Sequence, residues 1–384
     1  MPRKTKDNET IILETAEPRW ANQHFPSWIS YWMTFLAFPL NVMVMAWVSF
    51  SWAVFGSHSH SYLRSCCVLY MAWVLLWDRN RCDGKGYPDV FPFRQLRHWV
   101  RNNWFYAAFC AYYPIRLHKT ADLPAVDPQT GQKCQYLFAC HPHGVLGVGT
   151  VSVFGTDEVG FRQLYPGIDT YLTGLRQLFY TPIFREWLLL GGCLSSDKCS
   201  FSHIFKIRKE SAVINLGGAA EAFVGLGHNP TTGNAVMKLL LKGRKGFCKL
   251  ALQHGVSLVP VITFEENLLF DLLRLPETSG VGSMFYRIQL YLQKHVLGFA
   301  PLLVWGNKAP LMPKRHELNV FIGKAIKCPE VIANPTQEQI DAKHKEYCQE
   351  IEIMFHKCKV FAPGCEDWEL ELIEHPFQSV SKEK

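Results

Sequence analysis

Apolar positions gather into one long block near the start of the chain and spread into short alternating runs after it. Between residues 25 and 55 no Asp, Glu, Lys, Arg or His appears, and most of that stretch reads WISYWMTFLAFPLNVMVMAWVSFSWAVF. A hydrocarbon layer of about 30 Å takes about 20 mostly apolar residues in helix, so the block is long enough to span one. Pro39 and Asn41 near its middle predict a kink, a break or a re-entrant bend. A second run at 65–77, SCCVLYMAWVLLW, is too short to cross alone and is expected to pair with the first, with the turn around His58 and His60. Arg3, Lys4, Lys6 and Arg19 precede the region and Arg79, Arg81 and Lys85 follow it, which by the positive-inside tendency leaves both ends in the cytosol. The expected organisation is a cytosolic tail over 1–24, a transmembrane or re-entrant hairpin over 25–78 and a cytosol-facing domain over 79–384.

Beyond residue 78 the pattern alternates between β-like and helical segments. Strands are expected at 135–140, 212–216, 257–264 and 318–322, and helices at 169–180, 182–190, 201–209, 245–254 and 282–297. This alternation predicts an α/β domain. A last helix is signalled by Thr336 and Gln339 at capping-box spacing after Pro335, with Ile340, Tyr347, Ile351, Met354 and Phe355 as its apolar stripe. Segments 127–133 and 225–234 read as exposed turns.

Composition narrows the class. Of 384 residues, 48% are apolar and 14% aromatic, which excludes a disordered chain. Forty basic against 33 acidic residues leave only +7, and no basic tail or zinc-finger spacing accompanies it, so nucleic acid is not an expected partner. The 13 cysteines are odd in number and lack any C-x-x-C pair, which predicts reduced, mostly buried thiols rather than a zinc or redox motif.

The stretch QYLFACHPHGVLGVGT carries the sharpest chemical signal: an apolar strand ends in His141-Pro142-His143-Gly144. Two imidazoles at i and i+2 can share one side of an extended backbone, Pro142 fixes φ between them, and Gly144 allows close approach. General base, metal ligands and hydrogen-bonded turn are the competing readings; the metal reading lacks a third ligand with recognisable spacing. A second constellation runs from Val213 through Gly217 and Gly218 to Glu221, which can orient an imidazolium or complement a helix N-terminus. A third is basic: Lys242, Arg244, Lys245 and Lys249 around Gly243 and Gly246, suited to phosphate at a helix start or simply a solvated face. Arg185 is a charge inside an apolar helix, with Glu186 beside it.

In order along the chain, Tyr112-Tyr113-Pro114, the HPHG box, Pro182 through Arg185 with Gly191-Gly192, Gly217 through Glu221, Arg244 through Phe247, and Val259-Pro260-Val261 resemble the type-2 diacylglycerol acyltransferase family, which includes monoacylglycerol and wax-alcohol acyltransferases. The resemblance covers roughly residues 25 to 375. Two positions depart: Tyr113 replaces the phenylalanine of Y-F-P, and the F-G-E-N box reads Phe264-Glu265-Glu266-Asn267, with Glu265 where glycine would adopt positive φ freely. The resemblance implies transfer of a fatty acyl group from acyl-coenzyme A to the hydroxyl of a diacylglycerol or related neutral lipid. It also implies residence at the cytosolic face of the endoplasmic-reticulum membrane and at lipid droplets. It implies His143, or else His141, as the base with Glu221 as partner. Pro142, Gly144, Arg185, Gly217, Gly218, Arg244, Lys245 and Asn267 would then form the substrate site. Acyl-coenzyme A enters as co-substrate, with no resident cofactor or metal, and self-association is left open.

Overall fold

The computed structural model describes residues 13–22, 25–37, 39–56, 61–87, 90–272, 280–292, 304–307, 312–328 and 330–374. The long uncharged block forms two helices, α1 (Ser27–Ala37) and α2 (Pro39–Phe55), and the second run forms α3 (Ser61–Ala72), prolonged by a π-helical turn over Trp73–Trp77. Pro39 opens α2, as its missing N–H and fixed φ favour. Among the described residues no helix is long and apolar enough to cross a membrane. The expected turn at His58 and His60 lies outside the described residues. Helices α4 (Phe93–Arg101) and α5 (Trp104–Tyr112) lead into the domain, and α1 packs against α5.

The domain is built on an eight-stranded sheet. In chain order its strands are β1 (Glu14–Thr15), β2 (Arg116–Lys119), β3 (Tyr136–His141), β4 (Thr170–Gly174), β5 (Cys193–Ser195) and β6 (Ser211–Asn215). A hairpin of β7 (Leu226–His228) and β8 (Ala235–Leu240) interrupts the series before β9 (Ser257–Phe264). Next come a short pair, β10 (Asp271–Leu272) with β11 (Val304–Trp305), then β12 (Asn319–Ile322) and β13 (Glu369–Ile373). The main sheet runs β1-β2-β12-β9-β3-β6-β4-β5, with β9, β3, β6, β4 and β5 mutually parallel. A second sheet has the order β13-β8-β7. The mixed α/β class expected from the sequence is present. Of the segment expected as a cytosolic tail, the described residues 13–22 meet the domain: β1 pairs antiparallel with β2, and Trp20 Nε1 donates to the Ile115 carbonyl at 3.2 Å.

β3 is buried at every position because both its faces are covered. Leu137 and Ala139 face one apolar layer, while Tyr136, Phe138 and Cys140 face the other, in the two-residue period of a strand. The first layer is closed by α11 (Gly246–His254) and α13 (Gln337–Cys358), whose Phe247, Ile340, Tyr347 and Ile351 join it. The second is closed by α5, by α6 (Val148–Gly155) and by α7 (Phe161–Leu164). The capping box at Thr336 and Gln339 forms as expected.

Residues 169–180 are a correction: instead of a helix they form β4 and a 3-10 turn over Arg176–Tyr180. Buried on both faces, a strand such as Thr-Tyr-Leu-Thr cannot be told from a buried helix segment by periodicity alone. The expected turn at 225–234 likewise contains β7, with the true turn held by Asn229, whose Oδ1 accepts from the Thr231 N–H at 2.9 Å.

Candidate active site

Because β6 and β9 leave β3 on opposite sides, the carboxyl end of β3 is where the strand order reverses, the place an open α/β sheet offers a ligand. The HPHG box stands there. β3 ends at His141, so the extended geometry that would set both imidazoles side by side stops before His143, and the rings part. His141 keeps the parity of Leu137 and Ala139 and points to α13, where its Nε2 lies 3.0 Å from the Tyr347 hydroxyl. That hydroxyl donates to the Ala139 carbonyl at 3.3 Å, so Nε2–H is the donor to Tyr347 and Nδ1 is left unprotonated and without a hydrogen-bond partner. Burial holds the His141 pKa down to about 3. It is a neutral core histidine.

His143 is half-buried rather than sealed. Its Nδ1 is 3.0 Å from the Gly144 carbonyl, which can only accept, so Nδ1 carries the proton and Nε2 presents the free lone pair. Burial lowers its pKa below the ordinary 6.5, and the ring is neutral at pH 7.

Glu221, at the end of α10 (Gly218–Glu221), does not pair with either imidazole as expected. Its carboxylate accepts the main-chain N–H of His143 at 2.6 Å and that of Leu240, closing β8, at 2.9 Å. It therefore clamps the HPHG turn to the second sheet. Burial raises its pKa to about 7 against those two donors and the nearby charge of Arg244. A side chain on Gly217 would overlap the Glu221 carboxyl, so glycine is required there; Gly218 sits at φ +55° with open space beside it.

A second buried carboxylate escaped the sequence reading. Glu266 accepts from the N–H groups of Val148 at 2.7 Å and Gly149 at 2.9 Å, capping the N-terminus of α6. Those two donors are thus already used. Burial pushes Glu266 to about 7 as well. Gly144 adopts φ +56°, and a Cβ there would come 2.8 Å from Glu266 Cγ, so the last residue of HPHG is small to admit this carboxylate. Glu265 adopts φ +68°, in the left-handed region that glycine takes without strain. Asn267 follows, half-buried, in the 3-10 turn Glu266–Leu268. Thr150 donates to Asn215 at 2.7 Å and ties α6 to the end of β6.

Two basic expectations divide. Arg185, in α8 (Phe184–Leu190), is 1% exposed and bound to Asp78 at 2.6 Å and Glu186 at 2.5 Å, with its guanidinium over the Trp73 ring. It fastens α8 to the end of the N-terminal helical segment and presents no charge to an incoming anion. Arg244 is exposed, and Lys245 is paired with Asp341 at 2.8 Å. Among the described residues no group of three His, Cys, Asp or Glu could hold a metal ion.

A family model described as diacylglycerol acyltransferase matches residues 56–372. The chain belongs to the diacylglycerol acyltransferase family. It is 33% identical over 315 residues to diacylglycerol O-acyltransferase 2A of Umbelopsis ramanniana, covering 80% of this chain and 81% of that one. It is 39% identical over 276 residues to 2-acylglycerol O-acyltransferase 1 of Bos taurus, covering 69% and 76%. A solved 1-acyl-sn-glycerophosphate acyltransferase from Thermotoga maritima aligns over 81% of this chain and 94% of that one, at 10% identity and a TM-score of 0.35. The expectation of an acyl-coenzyme-A-dependent O-acyltransferase stands with the family. What the tertiary structure adds to this acyltransferase is Glu266 and Tyr347. The first lay unread inside Phe264-Glu265-Glu266-Asn267, and the second was read only as core.

Proposed function

We propose that this acyltransferase esterifies the free hydroxyl of a diacylglycerol with the acyl group of acyl-coenzyme A, with His143 as general base. The observation that carries the proposal is the state of His143: neutral, partly accessible, with Nδ1–H tied to the Gly144 carbonyl and Nε2 free. Nε2 takes the hydroxyl proton as the oxygen attacks the thioester carbonyl. The C–S bond breaks, coenzyme A leaves as thiolate, and the proton passes from His143 to that thiolate or to water. A base so placed contributes about 10²–10⁴-fold. No resident cofactor enters this reading. The anionic coenzyme A moiety would meet Arg244, which is exposed four residues beyond Leu240, whose N–H is held by Glu221.

The acceptor is almost insoluble in water, so the reading includes membrane association at the cytosolic face of the endoplasmic reticulum and at lipid droplets. Supporting it, the helices ahead of the domain carry exposed apolar side chains, among them Phe55 at 82% and Trp77 at 87%. Retention in the pellet after alkaline carbonate extraction is expected; release to the supernatant would refute an embedded anchor.

A second reading, a monoacylglycerol acceptor, is favoured by the 39% identity to the bovine 2-acylglycerol enzyme. The test is transfer from labelled oleoyl-coenzyme A by membranes holding the purified chain, offered diacylglycerol, monoacylglycerol or hexadecanol in turn, wild type against His143→Ala. Labelled triacylglycerol, lost in the variant, is the expected result. Label mainly in diacylglycerol or in wax ester would move the acceptor, and undiminished turnover in a folded His143→Ala would remove the base.

A further inference from the structure

The chain passes from the apolar helices into the domain through residues 78–87, and that passage is docked along its length. Asp78, which ends the π-helical turn after α3, is gripped by Arg185 of α8, whose Nη2 donates to its carbonyl at 2.9 Å and to its carboxylate at 2.6 Å. The Asp83 carboxylate accepts from Arg176, two residues after β4, and from the hydroxyl of Ser195, the last residue of β5, at 3.2 Å. Cys82 is 1% exposed, and its carbonyl accepts at 3.3 Å from the hydroxyl of Ser200 in α9 (Lys198–His203). Gly84, at φ +98°, lies so near α9 that a Cβ would stand 2.4 Å from His203 Cβ. Arg208, which precedes β6, then donates to the carbonyls of Gly84 at 3.4 Å, of Lys85, and of Tyr87 at 3.0 Å. Its Nη1 donates to the Tyr171 hydroxyl at 2.8 Å, near the start of β4.

The end of the sheet at which this passage begins is the end that carries the HPHG box. Strands β3, β6, β4 and β5 are parallel, so their carboxyl ends lie together. Ser195 and Arg176 stand at that end, and so does His143, two residues beyond β3. β5 is the edge strand, three strand spacings or about 14 Å to the side of β3. From Asp83 the chain runs along the β5 edge toward the amino end, where Arg208 receives it. The apolar helices therefore leave the domain at the level of His143. Helix α3 is joined there as well: the Tyr70 hydroxyl donates to Glu186 and accepts the Ile183 N–H at 3.2 Å. A slack linker would leave the orientation of the two parts open, whereas planar guanidinium groups with several acceptors each fix it.

We infer that Arg176 and Arg208 are positioning residues for a membrane-borne acceptor. By fixing the 78–87 passage they hold the His143 end of the sheet against the bilayer in which the apolar helices lie, so that an acceptor hydroxyl reaches the site while its acyl chains stay in lipid. Both act through the passage and not on the reacting groups, so an acceptor dissolved in water does not need them. The inference rests on the membrane association proposed above and is independent of which histidine is the base.

The test compares the full chain with Arg176→Ala and Arg208→Ala, using octanoyl-coenzyme A and either dioleoylglycerol in phosphatidylcholine bilayers or dihexanoylglycerol dissolved in water. In both variants the KM for the bilayer acceptor should rise about tenfold or more, because a slack tether lowers the effective concentration of site and acceptor, while kcat/KM for the dissolved acceptor should change less than about twofold. Arg208→Lys keeps the charge without the fork and should fall between wild type and Arg208→Ala. Trypsin should cut after Arg79, Arg81 or Lys85 faster in the alanine variants than in wild type, since a docked segment opens rarely. An unchanged KM in bilayers, or an equal loss on both acceptors in the alanine variants and in Arg208→Lys, overturns the inference, as does rapid tryptic cleavage of wild type at these sites. Release of wild type by alkaline carbonate would remove the membrane reading and this inference with it; wild type held in the pellet, with variants of wild-type KM, removes this inference alone.

Discussion

Replacing Glu221 by glutamine keeps the size of the side chain and removes one acceptor, which tests what that residue does. In the protein one carboxylate oxygen accepts the His143 N–H at 2.6 Å and the other the Leu240 N–H at 2.9 Å. A glutamine has one oxygen, so its NH₂ must face one of the two main-chain donors and leave it buried and unsatisfied, at a cost of about 1–3 kcal/mol. The cost depends on pH. Glu221 titrates at about 7 in the fold against an ordinary 4.5, so the folded state binds its proton more tightly than the unfolded state does. The wild-type contribution from this proton is therefore fully present below about 4.5 and is lost as pH rises through 7, by up to about 1.4 kcal/mol per unit. Glutamine has no such dependence. The stability gap between wild type and Glu221→Gln is expected to be widest near pH 5 and to narrow toward pH 7.5. Thermal melts in detergent at several pH values read it. In the same variant kcat should fall by about tenfold or more, since a displacement of about 1 Å at a catalytic group can cost about 10². The apparent pKa of kcat/KM should stay in place, because the clamp acts on the main chain of His143 and not on its ring. A gap that widens with pH, or a profile displaced by a unit or more, would refute the clamp and restore Glu221 as partner of the imidazole.

Three further perturbations follow from the same geometry. Gly144→Ala forces a side chain to φ +56° and toward Glu266 Cγ at 2.8 Å, and should cost about 1–3 kcal/mol in a melt together with most activity; wild-type turnover would show that the turn can relax. Arg185→Leu removes one of the two cations on Asp78, itself 5% exposed, leaving Arg81 at 2.6 Å; a loss of about 1.5–3 kcal/mol is expected, with the KM for acyl-coenzyme A unchanged in the folded fraction, and a raised KM would return Arg185 to the substrate site. Tyr347→Phe deprives His141 Nε2 and the Ala139 carbonyl of a partner, so stability should drop by about 1–2 kcal/mol while the pH–rate profile keeps its midpoint; a moved midpoint would make His141 the base.

The chain's own pattern determined a good deal. Strand β9 is legible at its full length because Val, Ile and Phe cluster between a glycine-bounded helix end and a polar turn. The capping box of α13 is legible because its bonds are local, made between residues three apart. The HPHG box is legible as a candidate site because an apolar strand ends there abruptly in imidazole, proline and glycine. The family, too, was readable from motifs in order, since these are short stretches of contiguous residues.

What sequence could not assign depends on groups that meet across long separations. The proposed choice of His143 over His141 rests on where β3 stops and on Tyr347, 206 residues beyond His141. Glu221 stood in the right place to be a triad member, and only the fold turned its carboxylate to two main-chain N–H groups. The role of Arg185 followed from Asp78, 107 residues away, and the capping role of Glu266 from α6, 117 and 118 residues before it. A buried charge takes whichever opposite charge or dipole the fold brings within hydrogen-bond reach, because leaving it unpaired costs more than any local preference can return. Local chemistry marked His141, His143, Glu221 and Arg185, and tertiary contact decided which partner each of them meets.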